Sequence, residues 1–364
     1  MLIDLHHIDC DAAGHIRSPE ATPIHESRER YLLHSLIEES ITSSQLEGAA
    51  TTRRVAEAML RERRQPRDPG ETMIFNNYRA MEHVRALGAE PITPAGILEL
   101  HRIITLGTLD DPTEAGRLRR GDDVNVVDRR DGTLLHEPPH HAELPERLER
   151  LCAFANAGID ASPFVHPVVR AILLHFMIGY DHPFVDGNGR TARALFYWSM
   201  ARSGYWLTEF LSISQFLRRA PRQYLQAYLH TESDGNDTTY FVLQQLTTIR
   251  RAIAALYDYL ARKTLEQRDG LALLRSIGGG RLNHRQIALL SHALRKPGEA
   301  YRVAGHEAAH GVVYQTARAD LLGLENLGLL DRIKQGNTFV FFAPGDLRQR
   351  LEKLSRNLVA GGHD

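Results

Sequence analysis

His182-Pro183-Phe184-Val185-Asp186-Gly187-Asn188-Gly189-Arg190-Thr191-Ala192-Arg193 gathers reactive and conformationally permissive residues into one short run. Two glycines flank Asn188, which suits a loop with unusual backbone angles and close approach to a ligand. The loop leads into a helix that begins near Gly189, and the free N–H groups of a helix N-terminus bind phosphate. Arg190 and Arg193 are three residues apart, so they share one helix face beside that terminus. Cations oppose the helix dipole there, which marks them as anion holders of permanent charge and forked geometry. Asp186 is a hard oxygen ligand suited to a divalent metal on phosphates. His182, just before the loop, can take a proton near neutral pH. The plainer reading is a tight helix–loop–helix turn with a capping aspartate and two surface arginines. A lone Gly-Asn-Gly would favour it, and a run this dense in polar residues and glycine does not.

Working outward, the flanking pattern is helical. Val165, Val168, Val169, Ile172, Leu173, Phe176, Met177 and Tyr180 repeat at i, i+3, i+4, which predicts a core helix over 165–180. Helices are also predicted over 28–47, from Thr51–Thr52 to Leu60, and over 72–87, 93–106 and 141–158. Thr93-Pro94 is a good helix opening. The polar stretch 63–71 reads as a connector. DVNVVDRRDGTLLHEPP (123–139) is different: two short strand-like runs surround Asp131-Gly132, a hairpin turn signal. Helices resume after 190 and continue to about 267, with Asp237 and Thr238 as a cap. Gly278-Gly279-Gly280 then reads as a linker or turn. Beyond it the order is helix (284–294), helix (303–309), helix (312–326) and a hairpin turning at Lys334 to Asn337, which suggests a winged helix-turn-helix. The expected fold class is all-α, with segments 1–74 (N-terminal helices), 75–268 (catalytic core) and 269–364 (winged helix).

Composition bounds the rest. The 364 residues, 43% hydrophobic and 24% charged, are those of a globular protein of more than one domain. A formal net charge of -1 excludes a chain that binds nucleic acid by bulk charge. No apolar run approaches the ~20 residues that span a bilayer, and the N-terminus lacks the pattern of a signal peptide, so the expected location is cytoplasmic. Cys10 and Cys152 show no metal-ligand spacing, and His136, His140, His141 and His175 lack the spacing of a zinc site.

The opening segment resembles the signature of the Fic family, HxFx(D/E)GNGRxxR, with His182, Phe184, Asp186, Gly187, Asn188, Gly189, Arg190 and Arg193 all in place. The resemblance covers about residues 75–260. It implies a helical core with a small β-hairpin flap, and transfer of AMP from ATP to a Ser, Thr or Tyr hydroxyl of a protein. Under it, His182 is the general base, Asp186 holds Mg2+ (or Mn2+), Gly187, Asn188 and Gly189 line the anion site, and Arg190 and Arg193 grip the outer phosphates. Phe184 points inward. The hairpin 123–139 becomes the flap, on which a protein substrate pairs by its backbone.

Residues 40–49 read SITSSQLEGA, with Ser43 and Glu47 at i and i+4 on one helix face and Gly48 closing the turn. Alone, Glu47 is a solvated surface residue. Beside a Fic core, Ser43, Glu47 and Gly48 resemble the family's inhibitory motif (S/T)xxxE(G/N), in the class whose inhibitory helix precedes the core. That resemblance pairs Glu47 with Arg193, in competition with the γ-phosphate. In some relatives the same glutamate supports removal of AMP, and the sequence does not fix the direction.

Residues 282–342 carry seven Lys/Arg against five Asp/Glu, weakly basic for a phosphate-binding surface. The predicted recognition helix offers Gln315 and Arg318 but also Asp320 and Glu325. A protein partner, a homodimer and DNA are all compatible with that balance. The alternative from another class is a transcriptional regulator whose core senses nucleotide, against which stands the intact His182. A third reading keeps the enzyme and changes the donor, to UTP or CDP-choline.

Overall fold

A computed structural model describes residues 1–13, 24–127, 134–277, 281–295, 298–335 and 338–360. The predicted turn at Asp131-Gly132, the Gly278–Gly280 linker and Asn337 of the last turn lie outside the described residues. Among the described residues the chain is helical apart from two small sheets, in line with the expected all-α class. Instead of three segments it forms two compact units, Met1–Tyr257 and Asp258–Asp364. Residues 1–74 do not stand apart because Leu5, Ile8, Leu32 and Leu36 enter the same apolar cluster as Ile97, Ile172 and Leu195. The boundary between the units, at Tyr257 and Asp258, and the expected one at 268 both fall inside one long helix, Thr239–Ile277.

In the first unit, α1 (Leu2–Ile8) and α2 (Ile24–Leu46) precede α3 (Arg53–Glu62). The helix α4 (Pro69–Leu87) starts three residues before its predicted position. Asp68 accepts a hydrogen bond from the Glu71 N–H at 2.8 Å, and Pro69 occupies the first turn, where no intrahelical N–H partner is needed. Thr93 caps α5 (Pro94–Thr105) through the Gly96 N–H at 3.0 Å. The hairpin of β1 (Val126–Val127) and β2 (Leu134–His136) is antiparallel. Then come α6 (Leu144–Asn156), α7 (Pro167–Asp181), α8 (Asn188–Arg202), α9 (Ile213–Arg219), α10 (Pro221–Ser233) and α11 (Thr239–Ile277).

The centre of this unit is α8. Nearly every side chain from Asn188 to Met200 is buried, so it is packed on all sides rather than on one stripe. Its most extensive partner is α7, and α2, α4 and α5 also pack against it. The polar face of α2 is buried too. Glu39 accepts hydrogen bonds from the Tyr197 hydroxyl (2.9 Å), the Ser212 hydroxyl (2.9 Å) and the Ser214 N–H (3.2 Å) and hydroxyl (2.5 Å). Burial pushes the Glu39 carboxyl pKa up, and these donors offset part of that cost. Ser35 adds a bond from its hydroxyl to the Phe210 carbonyl at 2.7 Å.

The second unit holds α12 (His284–Arg295), β3 (Ala300–Tyr301), α13 (Val303–His310), α14 (Tyr314–Asn326), β4 (Asp331–Gln335), β5 (Thr338–Phe342) and α15 (Leu347–Ala360). The strands form an antiparallel sheet in the order β3-β5-β4; β3 and α15 were not among the expected elements. Asp320 of α14 is buried, not displayed. It accepts from Asn283 (2.6 Å), Arg285 (2.6 Å) and His306 (3.1 Å), and against the upward push of burial these partners hold its pKa down at about 2. Gln315 and Arg318 are exposed.

Two core histidines tie the first unit's stability to pH. His101 of α5 stacks on Phe184 with ring centroids 3.7 Å apart. Its Nε2 donates to the Asp186 carbonyl at 2.9 Å and its Nδ1 accepts from the Gly116 N–H at 3.0 Å. The neutral ring is satisfied at both nitrogens, and burial pulls its pKa down to about 4. His175 of α7, bonded to the Tyr224 hydroxyl at 2.7 Å, is pulled to about 3 by burial and by Arg193. Above the ordinary histidine value of 6.5 neither folded nor unfolded chain binds these protons, and stability is full. As pH falls toward 4 the unfolded chain takes protons that the folded one refuses. Each histidine then removes about 1.4 kcal/mol per pH unit. Urea denaturation at pH 6 and pH 5 will show that loss, and His101→Gln, which cannot titrate, will lessen it by about one histidine's share. An unchanged pH slope in the variant would refute the assignment.

Candidate active site

The site lies in the turn from α7 to α8. His182 ends α7 in the left-handed region (φ 43°, ψ 55°), and Gly187 (φ 85°) opens α8. A side chain at Gly187 would be strained by that φ, and its Cβ would come within 2.8 Å of Thr105 Cγ2, so glycine is required there. Between these bends Asn188 closes the loop on itself. Its Oδ1 accepts from the Phe184 N–H at 3.0 Å and its Nδ2 donates to the Phe184 carbonyl at 2.8 Å. The Asn188 side chain therefore shapes the loop. Phe184 is fully buried under His101.

His182 Nδ1 donates to the Gly179 carbonyl at 3.0 Å, which fixes the tautomer and leaves the Nε2 lone pair to take a proton. Burial pushes its pKa below 6.5, with Arg119 and His136 adding to that push and Glu47 opposing it. Asp186, half-exposed, carries Arg190 Nη2 on its Oδ2 at 3.0 Å. Arg190 itself is fully buried. Its Nη1 donates to the Ile104 carbonyl at 3.3 Å, and burial works against its charge. Both contacts make Arg190 a brace between α5 and the Asp186 carboxylate.

Arg193 is also buried, and its partners come from α2. Its Nε donates to the Ser43 hydroxyl at 2.8 Å; its Nη2 donates to the Ser43 carbonyl at 3.0 Å and to Glu47 Oε1 at 2.6 Å. Burial disfavours the guanidinium charge, but Glu47 and the Tyr224 hydroxyl outweigh it and hold the pKa above the ordinary value. Gly48 (φ 100°) then turns the chain away. A Cβ at Gly189 would stand 2.2 Å from Glu47 Oε1, so the carboxylate lies directly on the first turn of α8, where an anion is favoured. The fold thus brings Ser43, Glu47 and Gly48 to His182, Asp186 and Gly187–Arg193 across more than a hundred residues of chain.

Several contributors carried no sequence signal. His101 sits in an apolar helical pattern with Ile97, Leu100 and Ile104 and looks like any core residue. Arg119 lies in the run RLRR, which reads as a solvated charge cluster, yet it is buried against the His182 carbonyl at 3.0 Å. Of the four histidines weighed for zinc, His136 bonds the Tyr180 carbonyl and Glu232 and His175 bonds Tyr224. His140 and His141 meet on Asp122 Oδ2 at 2.9 and 3.0 Å.

Residues 91–200 match the Fic/DOC family model. The protein adenylyltransferases Fic of Drosophila willistoni and Drosophila melanogaster are each 38% identical to this chain over 128 residues. That is 35% of this chain and 23% and 24% of theirs, so the chain spans about a quarter of the length of these curated relatives. The fold is similar to that of a Fic family protein from Desulfovibrio desulfuricans G20 (TM-score 0.60, 20% identity, 94% of each chain covered). It is also similar to a Fic domain containing signaling protein from Bacteroides thetaiotaomicron (TM-score 0.53, 21% identity, 69% of this chain and 90% of that one). Residues 91–200, which hold the flap and the whole His182–Arg193 turn, are a Fic/DOC family domain, set in a chain that folds as Fic family proteins do.

Proposed function

We propose that this chain is an autoinhibited protein adenylyltransferase that moves AMP from ATP to a hydroxyl of a protein. The observation that carries the reading is the fixed orientation of His182, with Nδ1 bound to Gly179 and Nε2 left as the base beside the α8 N-terminus. Nε2 would take the proton of the target hydroxyl as that oxygen bonds to the α-phosphorus and the bond to the β-phosphate oxygen breaks, releasing pyrophosphate. The N–H groups of the first turn of α8 would hold phosphate oxygens, so catalysis rests on positioning and charge stabilisation. The half-exposed Asp186 carboxylate fits Mg2+ (or Mn2+), because a hard oxygen ligand open to solvent suits an ion that keeps waters and bridges phosphates. When bound, that ion supplies neutralisation of phosphate charge.

Glu47 is the brake in this reading. Its carboxylate sits where an anion is favoured and occupies Arg193, so a γ-phosphate must compete with it for the same guanidinium. The flap, β1 and β2 with their flanks, would receive an extended stretch of the target by strand addition. The second unit, with a β3-β5-β4 sheet beside α12–α14, suits a winged helix that contacts a protein partner. Two unpaired thiols, Cys10 and Cys152, suit the reducing cytoplasm.

Self-labelling with α-labelled ATP and Mg2+ tests transfer and brake together. Glu47→Gly will label at least about tenfold more strongly than the native chain, the equivalent of ~1.4 kcal/mol of lost competition. Adding His182→Ala will cut that rate by ~10²–10⁴. No label in any form, even with cell lysate as substrate, would sink the transferase reading in favour of AMP removal or another donor.

The acidity of His182 gives a second check. A base whose pKa lies below 6.5 is more than half deprotonated at pH 6.5, and removing Glu47 lowers that pKa further. Glu47→Gly is therefore expected to keep more than half of its pH 8 rate at pH 6.5. An acid limb centred above 6.5 would contradict a neutral, buried base.

A further inference from the structure

Arg119 has no place in the chemistry outlined above, yet it is among the most heavily bonded side chains in the first unit. It is buried, and its guanidinium reaches the catalytic turn and both roots of the flap at once. Nε donates to the His182 carbonyl at 3.0 Å. Nη1 donates to the Gly121 carbonyl at 2.7 Å and to Asp122 Oδ1 at 2.8 Å. Nη2 donates to the Pro139 carbonyl. Its own N–H donates to the Pro183 carbonyl at 2.9 Å. Gly121 lies before β1 and Pro139 after β2, so one planar group spans the entry and exit of the hairpin and the backbone of the base.

The surroundings reinforce that span. Asp122, held by Arg119, also accepts from the His141 N–H at 2.7 Å and from the rings of His140 and His141, which follow Pro139. On β2, His136 bonds the Tyr180 carbonyl at 2.6 Å, two residues before His182. A two-stranded hairpin is marginal on its own. Its position over the site is therefore set by these ties, and Arg119 is the one that joins it to His182 itself. A fork of five donors can meet such divergent carbonyls; a lysine ammonium, a single point on a flexible stem, cannot meet them together.

We propose that Arg119 is a positioning residue that sets the distance between the substrate-docking edge of the flap and the imidazole of His182. The assignment rests on the adenylyltransferase reading, because it gives the flap the task of presenting a hydroxyl to His182. In that role the residue controls the rate at which a bound hydroxyl is attacked and leaves nucleotide affinity nearly alone, since misplacement by about 1 Å costs ~10²-fold in rate.

The test is hydrogen exchange on the full-length chain and on its Arg119→Lys and Arg119→Met variants, with self-labelling of each in the Glu47→Gly background. Both substitutions are expected to speed exchange at residues 120–127, 134–140 and 182–185 by about tenfold, with α8 still protected, because several hydrogen bonds are lost there. The labelling rate at saturating ATP is expected to fall by about tenfold or more while KM for ATP stays within about twofold, and lysine is expected not to rescue it. A lysine variant that keeps both flap protection and labelling rate would overturn the proposal, as would a KM effect without a rate effect. If Glu47→Gly itself does not label, the transferase reading fails, and the exchange measurement alone then decides whether Arg119 holds the flap to the turn.

Discussion

A buried guanidinium governs how this molecule is arranged. Arg193 stands on a helix packed on every side, where an unpaired charge would cost several kcal/mol. Its neighbours on α8, Gly189, Arg190, Phe196 and Tyr197, include no carboxylate. Its partners come from the end of α2, as the Ser43 hydroxyl and carbonyl and the Glu47 carboxylate. That requirement draws the N-terminal helices into the same core as the Fic/DOC domain and explains why residues 1–74 form no separate unit. It also places a negative charge on the first turn of α8, where the proposed nucleotide phosphates would go.

The same economy appears in the turn itself. His182 and Gly187 adopt positive φ, Asn188 laces the loop, and Phe184 with His101 forms its floor. Arg190, expected to grip the outer phosphates, donates to the Ile104 carbonyl and to the Asp186 carboxylate. The division of labour between the two arginines follows from their partners rather than from their spacing.

How much of this was legible in the sequence depends on the range of the forces involved. The run at 182–193 announced the turn because its glycines and polar residues have few other uses, and the apolar period of α7 fixed the helix before it. Ser43, Glu47 and Gly48 were legible only as a resemblance, since nothing local distinguishes a glutamate that solvates a helix from one that crosses to Arg193. His101, Arg119 and Glu39 were opaque for the same reason: each looks ordinary among its sequence neighbours, and its partners lie from two to about 175 residues away. Asp320 misled in the other direction, because a carboxylate on an outward-looking helix is in fact the buried hub of Asn283, Arg285 and His306. Helix α4 began early because an aspartate–proline cap overrode the polar look of the connector.

Glu39 has one more consequence. It fastens the middle of α2 to Tyr197, Ser212 and Ser214, while Ile37 and Ile41 pack into a second apolar cluster with Met59 and Ile74. The second half of the helix is therefore held firmly, and Glu47 lies just past its last residue, Leu46, on a turn that Gly48 bends away. Any traffic of the carboxylate on and off Arg193 is left to that short terminal hook. It can swing at the cost of a few hydrogen bonds while the shaft behind it stays in the core, so release of Glu47 from Arg193 and unfolding of the protein are separate events on separate free-energy scales.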